Sequence, residues 1–370
     1  MRIRWMIVCC CCLLLFPSVA AATEMDASAY LSDLHLEEID EATEQYLEDM
    51  SFSELVQGIL DGSITFSAED WLDRGFEMAF GEIRTQTGLV IQLLAVSILA
   101  AILRQISGSF CGKEVGEMGF YVCYMILIVV LISTFFEITE AVVERVGQTA
   151  DAFAVMLPVF LALAASSGNL TQTALMGPTM MGGCTLIAFL TKTIIVPVIL
   201  VAVALEMTDK LSEQPLCERF AKLWKQGISW GMKGLAGGFM LLLSLQKIGG
   251  GALNGLAVRT AKIAVNAVPI VGDVMGGAVD TAAAVASTLR GGTLAAAILF
   301  FLLLCLPLLC KLIVMTLIFK FTAAATESIC EARLVSCIGV AGDYTALLLG
   351  VVFLVEVMFL FSAFLLLGSV

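Results

Sequence analysis

Of the 370 residues, 59% are aliphatic, aromatic or cysteine, and the mean hydropathy is +0.98. Soluble domains average about 45–50% apolar, so the composition excludes an ordinary soluble fold and predicts an all-α, polytopic helical membrane protein. The formal net charge of −13 is concentrated: residues 23–87 carry 17 Asp and Glu against Arg74 and Arg84, and the near-balanced remainder offers no basic surface for nucleic acid.

The N-terminus has the three parts of a secretory signal. Arg2 and Arg4 charge its start, Trp5–Phe16 is apolar, and Pro17 leads into small residues ending at Ala20, Ala21 and Ala22, where cleavage is expected. Residues 1–22 are therefore read as a signal peptide, since their apolar stretch is short for a span; an uncleaved signal anchor is the alternative. Both readings put residues 23–87 outside the cytoplasm as a short acidic exported segment. In it Leu31, Leu34, Ile39, Ala42 and Tyr46 recur at roughly helical spacing among carboxylates, either a solvated face or a docking surface for a basic partner. Ser67 with Asp70 resembles a capping box ahead of Trp71–Phe80. Leu72, Phe76, Ala79, Phe80 and Ile83 share one face of a helix expected to lie on the membrane and lead into the first span.

Residues 88–248 read as a transmembrane region. Leu89–Leu103 is the first span and the charge-free stretch Met118–Phe136 the second, with Arg104 and Lys113 marking a short cytoplasmic loop between them. Glu137, Glu140, Glu144 and Asp151, opposed by Arg145, then fall outside. Ala152–Ala165 is apolar but short and holds Pro158. Leu175–Leu205 is apolar but long, and Gly177-Pro178, Gly182-Gly183, Lys192 and Pro197 interrupt it; one tilted helix, a hairpin and two half-helices all fit. Residues 206–233 read as an amphipathic loop, basic toward its end, with Trp224 and Trp230 placed as interfacial anchors. Its charge points to the cytoplasm, whereas counting spans puts it outside. Gly227/Gly231, Gly234/Gly238, Gly251/Gly255 and Gly272/Gly276 are each four apart, the spacing that lets helix backbones approach closely within a bundle or between subunits.

Residues 249–292 break the pattern. They are rich in Gly and Ala, lack aromatics, and with Lys247 carry Arg259, Lys262, Asp273, Asp280 and Arg290. A charge at mid-bilayer costs roughly 2.5–3.5 kcal/mol on insertion scales, so this tract is expected to pack on protein, line water or lie at the interface. Pro269 and Gly272 predict a re-entrant turn at Asn266–Gly272, and such a turn is tolerated only under cover of protein or water. Arg259, Lys262, Asn266, Pro269, Gly272 and Asp280 are accordingly the candidate pore or inter-helix contacts. Residues 293–370 read as a C-terminal transmembrane region: Thr293–Phe319, interrupted by Pro307 and Lys311, then a mixed stretch Lys320–Asp343, then a last span Tyr344–Leu367 containing Glu356. The total is about six or seven crossings.

Lys192, Lys311 and Glu356 are ionisable residues inside apolar runs, where such groups usually face a bundle interior or water. The two lysines can instead snorkel to headgroups. Glu356, deep in its span, predicts a buried pair or polar contact, with Lys311 a candidate partner. No catalytic constellation appears: no G-x-S-x-G, no Walker loop and no H-E-x-x-H. The single histidine is His35, and four of the twelve cysteines fall in the leader with no C-x-x-C elsewhere, so no metal site, cofactor or enzyme activity is expected.

The stretch Val258–Gly272, reading VRTAKIAVNAVPIVG and followed by Asp280-Thr281, resembles the most recognisable part of the stage III sporulation protein AE family. Arg259 to Lys262, Asn266 to Gly272 and the later Asp280-Thr281 carry the match. Trp71–Phe110, an amphipathic helix entering a span that ends SILAAILRQ, is a second match. The leader, the acidic exported segment and the order of spans extend the resemblance over nearly the whole chain. Family members are often more polar at Gly276-Gly277, and the Ala-rich 282–286 is plainer than usual. The resemblance implies a non-enzymatic subunit of a channel or secretion-like complex joining mother cell and forespore in an endospore-forming bacterium. It would sit in the mother-cell (outer forespore) membrane. Its partners would be the other stage III sporulation membrane proteins, the lipid bilayer and, as a homo-oligomer, further copies of itself. A stand-alone small-solute transporter and a passive assembly platform are the competing readings of the residues.

Overall fold

A computed structural model of the chain describes residues 40, 51–61, 68–107, 113–165, 170–210, 218–265 and 272–368, with backbone alone at several helix ends and from 245 to 290. In chain order the helices are α1 (Phe52–Leu60), α2 (Ala68–Thr85), α3 (Thr87–Ser107), α4 (Lys113–Ala165), α5 (Leu170–Leu190), a π-helical turn (Thr191–Ile195), α6 (Val196–Asp209), α7 (Glu218–Val265), α8 (Gly272–Thr326) and α9 (Ala332–Gly368). The leader with Ala20, Ala21 and Ala22, most of the acidic exported segment and the Ser67 cap all lie outside the described residues.

The sequence missed a capping box at Ser51. Its hydroxyl accepts from the Glu54 amide at 3.1 Å while the Glu54 carboxylate accepts from the Ser51 amide at 3.0 Å, which satisfies two otherwise orphaned donors. The helix it starts buries Phe52, Leu55, Val56 and Ile59 against α8, where Phe52 meets Phe300 edge to face at 6.3 Å. Next, α2 turns Phe76, Phe80 and Ile83 outward, the apolar face expected of a helix lying on a membrane.

Five helices among the described residues are long and apolar enough to cross a membrane: Thr87–Gln105, Met118–Ala165, Met176–Asp209, Gly291–Thr326 and Ala332–Leu367. Two of the runs counted separately among the about six or seven expected over the whole chain are fused here. Residues 118–136 and 152–165 are joined through the charged stretch between them into one helix of 53 residues. At 1.5 Å per residue α4 is about 80 Å long, far more than the hydrocarbon core of about 30 Å. Pro158 and Pro307 sit inside α4 and α8 without ending them, as membrane helices tolerate where neighbours cover the freed backbone groups. Residues 170–209 form one rod rather than a hairpin. Its single irregularity is the π-helical turn, where the Val196 amide reaches back to the Thr191 carbonyl. Pro197 follows at once and has no N–H to give, so the widened turn absorbs a clash that would otherwise kink the rod.

Contacts fix the directions. On α4, Tyr124 meets Met207 and Gly147 meets Lys192, so α4 is antiparallel to α5–α6. Thr149 and Phe153 meet Glu356 and Phe359, so α4 is parallel to α9. The α8–α9 hairpin closes through residues 327–331. On α7, Lys225 meets Tyr344, Met232 lies by Gly350 and Leu242 by Gly183, so α7 is also parallel to α9. Phe153, Phe160, Phe300, Phe301 and Phe359 fill the centre, with ring centroids 5.5–6.3 Å apart. Of the stretch 206–233 read as an amphipathic loop, residues 206–209 end α6 and 218–233 are the first four turns of α7, while 211–217 lie outside the described residues.

Candidate functional site

Glu137, Glu140, Glu144, Gln148 and Asp151 follow one another at steps of three and four. In an α-helix that spacing aligns them on one face. The four carboxylates are exposed, and Gln148 donates to Glu144 at 3.2 Å. The stripe is about 21 Å long and divides two apolar halves of the same helix. Such a face cannot be immersed in hydrocarbon at a cost of several kcal/mol per charge, so it faces water or protein.

The two predicted intramembrane lysines flank this stripe. Lys311, from α8, lies 3.3 Å from Glu137, its side chain 24% exposed against 70% for the glutamate. Lys192, from the π-helical turn, rests on the bare backbone of Gly147: a Cβ there would lie 2.8 Å from its ammonium. Any larger residue at 147 would displace it. Among the described residues the Lys192 ammonium has no ion pair or hydrogen bond. Beside it Thr191 is fully buried, and among the described residues its hydroxyl has no partner.

The opposite face of α4 turns inward. Thr149 places its hydroxyl 2.8 Å from Glu356 Oε1 and 3.0 Å from the Arg145 carbonyl, one proton shared between two acceptors. Glu356 is 4% exposed, and among the described residues its Oε2 has no hydrogen-bond partner. Cys305 of α8 and Arg145 of α4 are its other polar neighbours. From sequence, Lys311 is one candidate partner for Glu356. The structure separates them, because Lys311 reaches out to Glu137 while Glu356 points between α4 and α8. Even so, Lys192, Lys311 and Glu356 all meet α4 between residues 137 and 149, about 18 Å of its length. They form one charged tier across the bundle.

A second polar layer shows how a closed junction differs. Glu206 accepts from the Tyr344 hydroxyl at 2.8 Å and from Lys225 at 3.1 Å, and Lys225 also sits 4.7 Å over the Tyr344 ring. Close by, the buried Tyr124 hydroxyl donates to the Met207 carbonyl at 3.0 Å. Every one of these groups is matched, which is what a structural staple needs. In the charged tier the buried Glu356 Oε2 and Thr191 hydroxyl, and the half-buried Lys192 ammonium, are unmatched among the described residues. These open groups make the tier the candidate site, although the buried Ser97 and Thr322 hydroxyls elsewhere also have no partner among the described residues.

Arg259 and Lys262 lie on α7, and Gly272 and Asp280 on α8, but their side chains fall outside the described residues, as do Asn266 and Pro269 entirely. Sequence reasoning missed Thr149, Cys305 and the one-sidedness of the acidic stripe. The stripe was detectable from its spacing; nothing in the sequence pointed to Thr149 or Cys305.

A family model for stage III sporulation protein AE matches residues 50–369. The stage III sporulation protein AE of Bacillus subtilis (strain 168) is 24% identical over 306 residues, covering 82% of this chain and 76% of that protein. No solved structure matches the chain.

Proposed function

The chain belongs to the stage III sporulation protein AE family, and from that premise we propose that it is a non-enzymatic membrane subunit of a channel or secretion-like complex connecting mother cell and forespore. Family membership makes this a sporulation protein, and several of its helices are membrane-competent. The proposal adds residence in the outer forespore membrane, residues 23–87 on its extracytoplasmic side after a signal at 1–22, and assembly with the other stage III membrane proteins. In it the 88–248 and 293–370 regions build the helical wall. The 249–292 tract, with Arg259, Lys262, Asn266, Pro269, Gly272 and Asp280, turns toward protein or water.

The observation that supports this reading most is the charged tier. A monomer sealed in lipid has no use for four exposed carboxylates on the flank of an apolar helix, nor for a buried glutamate with an open oxygen. A subunit of a water-lined assembly does. The test is alanine substitution at Arg259, Lys262 and Asp280, and at Lys192, Lys311 and Glu356, scored for heat-resistant spores and for protein level in the membrane. Loss of spores at normal membrane level supports the reading. Normal sporulation in all six variants removes it.

A further inference from the structure

Among the described residues, the glycine pairs at 227/231 and 234/238 pack against nothing inside the bundle. A Cβ built at any of Gly227, Gly231, Gly234 and Gly238 meets nothing among the described residues within 4 Å. Phe220, Leu223, Trp230 and Leu241 stand on the same face of α7 and are 65–69% exposed, with Met240 beside them at 57%. Large apolar side chains framing a bare backbone track make a surface shaped to receive another helix at short range. Lys233 stands exposed at its edge and, among the described residues, has no ion-pair partner.

The acidic stripe of α4 is the complementary surface on the same chain. Its height can be read against α9, because Thr149 lies opposite Glu356 and Phe153 opposite Phe359. On that scale Glu140–Asp151 sits beside about residues 347–358 of α9, at one residue per 1.5 Å on parallel helices. Lys225 lies opposite Tyr344 and Met232 opposite Gly350, which puts Gly227–Gly238 beside about residues 346–356. The two faces lie at one height on different helices: α7 packs on α5, α6 and α9, and α4 on α3, α5, α6, α8 and α9. Lys233 falls level with Glu144.

We propose that the glycine face of α7 in one copy docks on the acidic face of α4 in the next copy, with Lys233 pairing to Glu140 or Glu144 across the contact. Two different patches meet, so the interface is head-to-tail, and repetition closes a ring or extends a filament. Rotation about an axis along the bundle keeps heights equal, as the matched stripes require of a ring. The contact covers the carboxylates that lipid cannot and gives the open glycines a helix to receive.

Cysteine cross-linking between two tagged copies in native membranes tests this. One copy carries Gly234→Cys and the other Glu144→Cys. Both positions are exposed, so the bundle itself is undisturbed. The expected result is a mixed-tag disulfide dimer at least about 10-fold above that of Gly234→Cys with Val122→Cys, a control on the same helix but lower down. Lys233→Glu should reduce that product several-fold, and Glu144→Lys in the partner copy, with the cross-link moved to Gln148→Cys, should restore it. Overturning results are a Gly234→Cys product with itself, which means a two-fold contact through α7, a product with a different protein, or no excess over the control.

Discussion

Replacing Glu356 separates a structural role from a working one. Its carboxyl gains one hydrogen bond from Thr149 and leaves one oxygen unmatched. A hydrogen bond to a buried group contributes about 1–3 kcal/mol, and an unmatched buried polar atom costs about 1–3 kcal/mol. Glu356→Leu removes both at nearly constant volume, so the two changes offset and net stability should stay within about 1 kcal/mol of wild type. Thr149→Val removes the donor and keeps the carboxyl, so its loss of about 1–3 kcal/mol is not offset. Cys184, Cys305 and Cys337 are buried, and a thiol-reactive dye can follow thermal unfolding of the purified protein in detergent through them. Glu356→Leu should melt near wild type, Thr149→Val lower, and Glu356→Leu should still fail to support spore formation. A Glu356→Leu protein destabilised by more than about 3 kcal/mol, beside an unaffected Thr149→Val, would refute the reasoning.

Other substitutions probe the frame around the tier. A Cβ at Gly292 would lie 2.6 and 2.8 Å from two atoms of Leu60. Gly292→Ala should therefore push α1 off α8, cost about 1–3 kcal/mol and speed proteolytic release of α1. Phe153 is 1% exposed and touches three other rings; Phe153→Ala should cost about 3–5 kcal/mol in the same melting assay. The Lys311–Glu137 pair is partly solvated, so Lys311→Gln should change stability by no more than about 1 kcal/mol. Cys330, in the α8–α9 turn, donates to the Ser97 carbonyl at 3.3 Å, and burial raises its thiol above the ordinary value. Less of it is thiolate at neutral pH than in a free cysteine, so maleimide labelling of Cys330 should be slow at pH 7 and accelerate through the alkaline range.

Composition was enough to read the class, because an apolar fraction this high has few alternatives. The helix at Trp71–Phe80 and the charge-free second span were legible from periodicity and length. The joining of 118–136 to 152–165 was not. Four acids look like a loop when counted, and only their placement on one face of a continuous helix shows how the chain keeps them while α4 runs on. Lys192, Lys311 and Glu356 were legible as ionisable groups in apolar runs. Their partners were not, since Glu137, Gly147 and Thr149 lie far off in sequence and come together only when α4 packs against three other helices. The glycine pairs of α7 were visible as spacing, but sequence cannot tell an inward face from an outward one.

The central claim is that the Glu137–Asp151 face of α4 is kept from lipid by water or protein. Spin labels at 140, 144 and 148, compared with labels at the exposed 122, 126 and 129, test it by electron paramagnetic resonance in native-lipid bilayers. The account predicts low accessibility to oxygen, which partitions into hydrocarbon, at the first three and high accessibility at the second three. Oxygen accessibility as high at 140, 144 and 148 as at 122, 126 and 129 would contradict it.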